Sequence, residues 1–149
     1  MEIPKPKLEK RKIVYTCGVY DLFHLGHLKI LQRAYKCGDE LCVGIVKDSA
    51  VKAIKGLNRP IINEKERFLL VNNLLWVNDC MFQETFDPSL NLEILHNRHY
   101  EDEIIFVKGE DQDHISEIYA KENNIKIVKL PRTQGVSTSE IIKRIKSEC

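Results

Sequence analysis

Apolar segments with strand character alternate with segments of helical period along most of the chain, and this alternation restricts the fold more than any other feature. Five short runs are typical of strands, at residues 13–17, 41–46, 80–83, 104–108 and 126–130. The intervening segments have helical spacing of apolar residues, at 27–36, 63–75, 88–97 and 115–122, and a last one follows at 138–146. Strands that alternate with helices predict a parallel sheet with right-handed crossovers.

Three local features are predicted in more detail. The first helix should bury Tyr35 and end at Gly38, a residue well suited to the position after a helix C-terminus. Ser137 and Glu140 have the capping-box spacing for the start of the last helix. Residues 52–62 are basic and lack a period, so we expect a loop there.

Length and charge fit one domain without a nucleic-acid or membrane partner. A chain of 149 residues accommodates one hydrophobic core. We expect a flexible basic lead at 1–12, followed at 13–149 by a single Rossmann-like α/β domain, a five-stranded parallel sheet with helices on both faces. The net charge of +1 gives no strong field toward nucleic acid or anionic lipid, and no apolar run could span a bilayer. The five cysteines lack paired spacing, which is typical of reduced thiols in the cytoplasm.

The strongest local signal follows the first strand, in Gly18-Val19-Tyr20-Asp21-Leu22-Phe23-His24-Leu25-Gly26-His27. A helix that starts here offers free amides and a positive dipole end, which suit a phosphate. Two histidines three positions apart can both aim ring N–H donors at one anion and stabilise charge on a phosphoryl group under attack. Gly18 permits close approach to a ligand, and Gly26 lets the chain pass between two imidazoles. A zinc site and a purely structural loop are the alternatives, although no third metal ligand is evident.

A second signal precedes the last helix, in Arg132-Thr133-Gln134-Gly135-Val136-Ser137-Thr138-Ser139. Arg132 can hold two phosphate oxygens at once, and Gly135 loosens the turn. Ser137 and Thr138 place hydroxyls and amides at a second helix N-terminus, where Ser137 also fits an ordinary N-cap. Ligands of parallel sheets bind beyond the carboxyl ends of the strands. Both helix starts are therefore expected to face one triphosphate.

These two segments resemble the signatures of a known superfamily. The first resembles the His-x-Gly-His signature of the nucleotidyltransferases, and the second resembles the Arg-Thr-x-Gly-Ile-Ser-Thr-Thr signature of the cytidylyltransferases that act on glycerol 3-phosphate, phosphoethanolamine or phosphocholine. The resemblance extends from Ile13 to about Ile145. It implies a CTP-dependent enzyme that transfers CMP to a small phosphorylated alcohol or sugar and releases pyrophosphate. It also implies Mg²⁺ bound with the nucleotide, no metal held by the protein alone, and a homodimer.

The resemblance also implies roles for individual residues. Catalysis is assigned to His24, His27, Lys55 and Arg132. The second substrate is assigned to Asp21, Lys52 and Arg67, of which Arg67 is expected either to anchor the site or to pair with Glu64 on the surface. The turn after the fourth strand is expected either to contact the base or to be a plain solvent turn. The full nucleotide-binding set is Gly18, Val19, Tyr20, His24, Gly26, His27, Lys55, Gly109, Glu110, Asp111, Arg132, Thr133, Gly135, Val136, Ser137 and Thr138.

Two alternatives to a CTP-dependent enzyme follow from the sequence. Residues 83–89 contain no lysine, although the glycerol-phosphate enzymes carry a substrate-side lysine near there. Lys55-Gly56 with Arg59-Pro60, and Val107-Lys108-Gly109, also resemble the heptose-phosphate adenylyltransferases, which generally lack the arginine of Arg132-Thr133. An ATP-dependent adenylyltransferase that acts on a sugar phosphate is therefore one alternative. A non-catalytic nucleotide-binding module of the same fold is the other.

Overall fold

The computed structural model describes residues 2–4, 9–112 and 114–149. Within these residues the strands are β1 Lys12–Gly18, β2 Glu40–Val46, β3 Asp79–Gln83, β4 Glu103–Gly109 and β5 Lys126–Leu130. The α-helices are α1 Leu25–Tyr35, α2 Asp48–Lys55, α3 Glu64–Asn72, α4 Ser89–Arg98, α5 Ile118–Glu122 and α6 Thr138–Glu148, and a 3₁₀ turn at His114–Glu117 leads into α5. Lys5 and Lys7 of the predicted basic lead lie outside the described residues, so the flexible lead stays a prediction.

All strand pairs are parallel, and the order across the sheet is β3-β2-β1-β4-β5. The predicted five-stranded parallel sheet with helices on both faces is confirmed. The chain runs outward from β1 to β3 and then crosses back to β4, so the order reverses between β1 and β4. A crevice opens at such a reversal, at the carboxyl ends of the strands, and ligands bind there in folds of this type.

The core has two layers, one on each face of the sheet. Successive residues of β1 point to opposite faces, so that Val14 belongs to one layer and Ile13 and Tyr15 to the other. On the first face α1 and α3 contribute Leu31 and Val71. On the second face α4 and α5 contribute a matching set of leucine and alanine side chains, Leu92, Leu95 and Ala120. Each fully buried leucine contributes about 1.5–3 kcal/mol, so these layers fix the helices that carry the site.

The segment predicted as a loop from residue 52 begins instead with the end of α2. Residues 48–55 form a helix whose buried side chain is Val51. The sequence prediction was wrong here because the basic residues Lys52 and Lys55 obscure a helical spacing of apolar residues, which includes Val51 and Ile54. Lys52 and Lys55 therefore lie on a helix, in its last turn, where positive charge is favourable. Gly56 ends α2 with φ of 95°, which only glycine adopts readily.

The end of α1 also differs from the prediction. Lys36 is the C-cap, and Gly38 does not have the left-handed conformation of a glycine that ends a helix. A Cβ atom at position 38 would lie 2.7 Å from the carbonyl oxygen of Lys12, so glycine is required there because the chain passes closely over β1. Tyr35 is exposed, and Ala34 takes the buried position predicted for it.

Candidate active site

The turn between β1 and α1 has a strained backbone. Tyr20 and Leu22 have φ angles of 56° and 49°, a conformation that costs about 1–2 kcal/mol for residues other than glycine. Asp21, between them, is buried and accepts hydrogen bonds from the backbone N–H groups of Ile61 and Ile62 at 2.8 and 2.9 Å. These bonds occupy both carboxylate oxygens. Asp21 therefore holds the turn, and because it also lines a cavity at the strand ends, its contact with the second substrate stays a prediction.

Arg67 connects this turn to the neighbouring strand β2 and to α2. Its side chain is fully buried, and its Nη1 atom donates to the carbonyl oxygens of Val19 at 2.7 Å and Val46 at 2.8 Å. Its Nε atom donates to the Ile62 carbonyl at 2.9 Å, and its Nη2 atom donates to the Asp48 carboxylate at 2.6 Å. Direct binding of the second substrate, one of the sequence predictions, does not fit these contacts. Arg67 is an anchor that joins the ends of β1 and β2 to the start of α2.

The two histidines of the first signature cap α1 reciprocally. The Nδ1 atom of His24 accepts a hydrogen bond from the Gly26 N–H at 3.1 Å, and the Nδ1 atom of His27 accepts one from the His24 N–H at 3.2 Å. The rings stack with their centroids 3.7 Å apart. A Cβ atom at position 26 would lie 2.9 Å from the His24 ring, so the glycine between the histidines is sterically required. The spacing of the signature is therefore that of a capping box built from two imidazoles.

Burial determines the protonation state of both rings, and the backbone hydrogen bonds determine which ring nitrogen holds the proton. Burial lowers the pKa of His27 to about 3, and the neighbouring His24 ring adds to the effect. Burial also lowers the pKa of His24, with a further contribution from the positive charge of Arg132. Both rings are thus neutral near pH 7, and because each Nδ1 atom accepts a backbone hydrogen bond, the proton lies on Nε2. Each histidine thus has one N–H donor, on Nε2, that the cap does not use.

Two adjoining cavities lie beyond the carboxyl ends of the strands, and together we call them the cleft. The first cavity, of about 440 Å³, extends toward the ends of β2 and β3 and is lined there by Val46, Gln83 and Phe86. The second cavity, of about 270 Å³, lies between α1, the turn after β4 and residues 130–139. The residues that line both cavities are His27, Ile30, Lys55, Arg59, Gln112, Arg132 and Thr138. The cleft therefore has a cationic middle with the α1 N-terminus beside it.

Lys55 and Arg59 provide two of these cationic groups. The side chain of Lys55 is exposed at the cleft, and its partial loss of solvent lowers its pKa, as does the charge of Arg59. The Arg59 side chain is only 16% exposed, and its Nε atom lies 3.6 Å from the Asp21 carboxylate. This Nε atom is buried and has no hydrogen-bond partner among the described residues. Lys52, one turn before Lys55, is exposed and lines neither cavity, so the predicted contact of Lys52 with the second substrate has no support in the geometry.

The second signature meets the first at the start of α6. The Ser137 hydroxyl accepts a hydrogen bond from the Glu140 N–H at 3.1 Å, as predicted for an N-cap. The Thr138 hydroxyl donates to the Asp21 carbonyl at 2.8 Å and lies 3.4 Å from the His24 Nε2 atom. The starts of α1 and α6 are therefore adjacent, as the sequence predicts. Arg132 is exposed at the rim of the cleft, 4.0 Å from the Asp111 carboxylate.

Nearly all of the predicted nucleotide-binding residues line the cleft. Glu110 is exposed and lines neither cavity, and Gly135, with φ of 79°, lies in a shallow depression beside the second cavity. The others line at least one cavity: Gly18, Val19, Tyr20, His24, Gly26, His27, Lys55, Gly109, Asp111, Arg132, Thr133, Val136, Ser137 and Thr138. Their individual roles stay predictions.

The floor of the first cavity contains a polar network that the sequence analysis did not identify. Gln83 is buried, and its Oε1 atom accepts a hydrogen bond from the Tyr15 hydroxyl at 2.6 Å. Asn91 donates to the same hydroxyl at 2.9 Å, and Gln83 donates to the Thr85 carbonyl at 2.8 Å. A Cβ atom at Gly44 would occupy the space of the Tyr15 hydroxyl. No local pattern could reveal this network, because its members are up to 76 positions apart in the chain.

Clustered metal ligands and membrane-spanning helices are both absent from the described part of the chain. It contains no group of three or more His, Cys, Asp or Glu side chains placed to hold a metal ion. None of its helices combines the length and apolar character needed to cross a membrane.

Comparisons with known proteins give a matching family model and several similar proteins. The model of the cytidylyltransferase-like family matches residues 15–144. The chain is 36% identical over 145 residues to the bifunctional protein HldE of Helicobacter pylori, covering 95% of this chain and 29% of that protein. It is 35% identical over 143 residues to HldE of Campylobacter jejuni, with 95% and 29% covered. The chain thus spans less than a third of the length of these relatives.

A solved structure is also similar. It is the crystal structure of the lipopolysaccharide core biosynthesis protein from Thermoplasma volcanium GSS1, with a TM-score of 0.66 and 28% sequence identity. The similarity covers 83% of this chain and 99% of that chain.

Proposed function

The chain belongs to the cytidylyltransferase-like family, and we propose that it transfers a nucleoside monophosphate from a nucleoside triphosphate to a small sugar phosphate, with release of pyrophosphate. The observation that carries this proposal is the histidine pair at the start of α1, which retains two Nε2–H donors beside Lys55, Arg59 and Arg132. Donors and cations that converge on one point suit the charge that develops on an α-phosphate under attack.

The residues of the cleft provide charge stabilisation and positioning. A phosphate monoester has a second pKa of about 6, so near neutral pH the acceptor is already an anionic nucleophile and needs no general base. Its oxygen attacks the α-phosphorus, the bond from that phosphorus to the bridging oxygen breaks, and pyrophosphate leaves with the electron pair. His24 and His27 donate to the α-phosphate oxygens. Lys55 and Arg59 offset the charge where the phosphates of both substrates are brought together.

We propose ATP as the nucleotide. The similarity to the HldE proteins fits the resemblance to heptose-phosphate adenylyltransferases better than the resemblance to glycerol-phosphate cytidylyltransferases, so the CTP-dependent reaction has less support than its alternative. The residues of that resemblance, Lys55 and Arg59, are in the middle of the cleft. CTP is the second candidate, favoured by the Arg132-Thr133 pair of the cytidylyltransferase signature, which lines the second cavity.

We propose a neutral sugar as the body of the acceptor. The far end of the first cavity presents the polar Gln83 and the aromatic Phe86. Asp21 is the carboxylate among the described residues that line this cavity, and its oxygens are bound by backbone N–H groups and face Arg59. An alcohol with a positively charged amine would therefore lack a counter-ion there. The structural relative is named for the biosynthesis of a lipopolysaccharide core, which supports a sugar-containing substrate.

Three further expectations stay proposals. We propose that Mg²⁺ enters with the β- and γ-phosphates, because this ion keeps phosphate and water ligands in nucleotide sites. Asp111 is the carboxylate among the described residues that line the second cavity, where it lies 4.0 Å from the Arg132 guanidinium. A homodimer and a cytoplasmic location remain predictions from the sequence.

Pyrophosphate release tests the proposed function. The four nucleoside triphosphates are each combined with a panel of sugar 1-phosphates, glycerol 3-phosphate and phosphocholine, in Mg²⁺ and then in EDTA. We expect turnover with ATP and a sugar phosphate. Faster turnover with CTP would establish the second candidate. Nucleotide binding without pyrophosphate release from any pair would identify a non-catalytic binding module.

A further inference from the structure

Lys108 is a buried cation outside the cleft. It is the last residue but one of β4, and its side chain has no exposed surface. Its Nζ atom donates to the Gln112 carbonyl at 3.2 Å, to the Ser116 hydroxyl at 2.9 Å and to the Glu117 carboxylate at 3.0 Å. A lysine is rarely buried so completely unless it is paired. One ammonium group thus binds both the beginning and the end of the segment that connects β4 to α5.

Glu117 does not depend on Lys108 alone for charge compensation. Its buried carboxylate also lies 2.9 Å from the Lys121 Nζ atom and 3.1 Å from the Lys129 Nζ atom. Hydrogen bonds from Lys121, Lys108 and Lys129 hold the pKa of Glu117 well below its usual range. Lys121 and Lys129 are exposed and lie on α5 and β5, so they reach Glu117 from outside the segment.

The segment held by Lys108 forms one wall of the cleft. Gln112 lines both cavities, Ser116 lines the first, and Asp111 lines the second and faces Arg132. In the sheet this wall follows β4, whereas Gln83 is the last residue of β3, on the opposite side of β1. The wall therefore lies on the side of the two signatures, away from the end proposed for the sugar.

We propose that Lys108 is a positioning residue that orders residues 110–112 and 114–117 for nucleotide binding before the nucleotide arrives. This inference rests on the proposed function. Lys108 lines neither cavity, so it acts through the segment and not by contact with the ligand. Without the Lys108 ammonium group, the segment has to become ordered when the nucleotide binds. The free-energy cost of this ordering reduces nucleotide affinity.

The test compares K108M with K121M and K129M. Each variant removes one partner of Glu117, but only K108M removes the bonds to Gln112 and Ser116. We expect K108M to raise the nucleotide KM about tenfold, with kcat and the acceptor KM within about twofold of the wild type. The two control variants should leave all three constants within about twofold. Amide hydrogen exchange of residues 109–112, measured without ligand, should be faster in K108M alone.

Each of the other outcomes overturns the inference. Equal effects in K108M and the controls would show that only charge balance at Glu117 matters. An equal rise in the acceptor KM would show a general loosening of the cleft.

If K108M does not fold, K108R is tested in its place, because arginine keeps the positive charge and displaces the N–H donors. An unchanged nucleotide KM in K108R would refute the proposal. A wild-type protein without turnover would refute the proposed function, while the exchange measurement still tests Lys108.

Discussion

Each histidine of the first signature has one nitrogen that caps the helix and another that takes no part in the cap. The Nδ1 atoms accept backbone hydrogen bonds, and the Nε2 atoms carry the remaining donors. Substitution by alanine removes both functions, so alanine alone cannot separate a structural histidine from a catalytic one. Asparagine at the N-cap position keeps an acceptor for the backbone and removes the distant N–H group.

For His24 we therefore expect different outcomes with alanine and asparagine. His24→Ala should lower kcat about a hundredfold or more and reduce the free energy of unfolding by about 1 kcal/mol, because both donor and cap are lost. His24→Asn should lower kcat to a similar extent at nearly unchanged stability. Steady-state kinetics and urea unfolding measure the two effects, with His96→Ala on α4, outside the cleft, as the control. Near-normal turnover of folded His24→Asn would show that this histidine only caps the helix.

The depressed pKa of His27 makes stability depend on pH. The unfolded chain binds a proton at His27 below about pH 6.5, whereas the folded protein binds it only near pH 3. Because the unfolded state holds more protons in this window, the free energy of unfolding should fall with decreasing pH, by up to about 1.4 kcal/mol per pH unit from this residue. Urea unfolding at pH 7, 6 and 5 should show a shallower decline in His27→Asn. Identical slopes would mean that His27 is readily protonated in the folded protein.

At the scale of an element, α2 was the helix that the sequence analysis missed, and it decides which lysine reaches the cleft. Lys52 and Lys55 are equivalent in a loop model, since both are basic residues in one connection. On a helix they are one turn apart with different surroundings. Only Lys55 lines the cavities, at the end of the helix next to Gly56 and the buried Arg59.

Alanine substitution of these two lysines should separate their roles. Lys55→Ala should lower kcat/KM about tenfold or more, because it removes a charge that offsets two phosphates brought together. Lys52→Ala is the matched control on the same helix and should change kcat/KM by less than about twofold. Both should alter the free energy of unfolding by no more than about 0.5 kcal/mol, as is usual for exposed sites. Equal kinetics of the two variants would show that α2 is only a connection between β2 and α3.

At the scale of the whole molecule, the architecture could be predicted, because the alternation of strands and helices and the two signatures are local patterns. Their convergence follows from topology, since the carboxyl ends of parallel strands share one edge of the sheet. What could not be predicted depends on burial and on distant pairs. Arg59 and Lys108 are charged residues of a type that is usually on the surface, and the structure buries all or most of each side chain. The hydrogen bond between Tyr15 and Gln83 joins two residues that are 68 positions apart in the chain.

The same convergence makes the stability of the whole domain a measure of what the cleft binds. A ligand that binds only the folded state at 100 times its Kd raises the free energy of unfolding by about 2.7 kcal/mol, or about 5–10 °C in Tm for a domain of this size. We expect such a shift with ATP and Mg²⁺, a smaller one with CTP, and almost none with adenosine, because the phosphates are what the cations and the two helix N-termini hold. Differential scanning calorimetry over a series of ligand concentrations measures these Tm shifts. Addition of EDTA abolishes the part of each shift that depends on Mg²⁺. A shift with adenosine as large as that with ATP would mean that the base, and not the triphosphate, dominates binding, contrary to the arrangement of His24, His27, Lys55, Arg59 and Arg132.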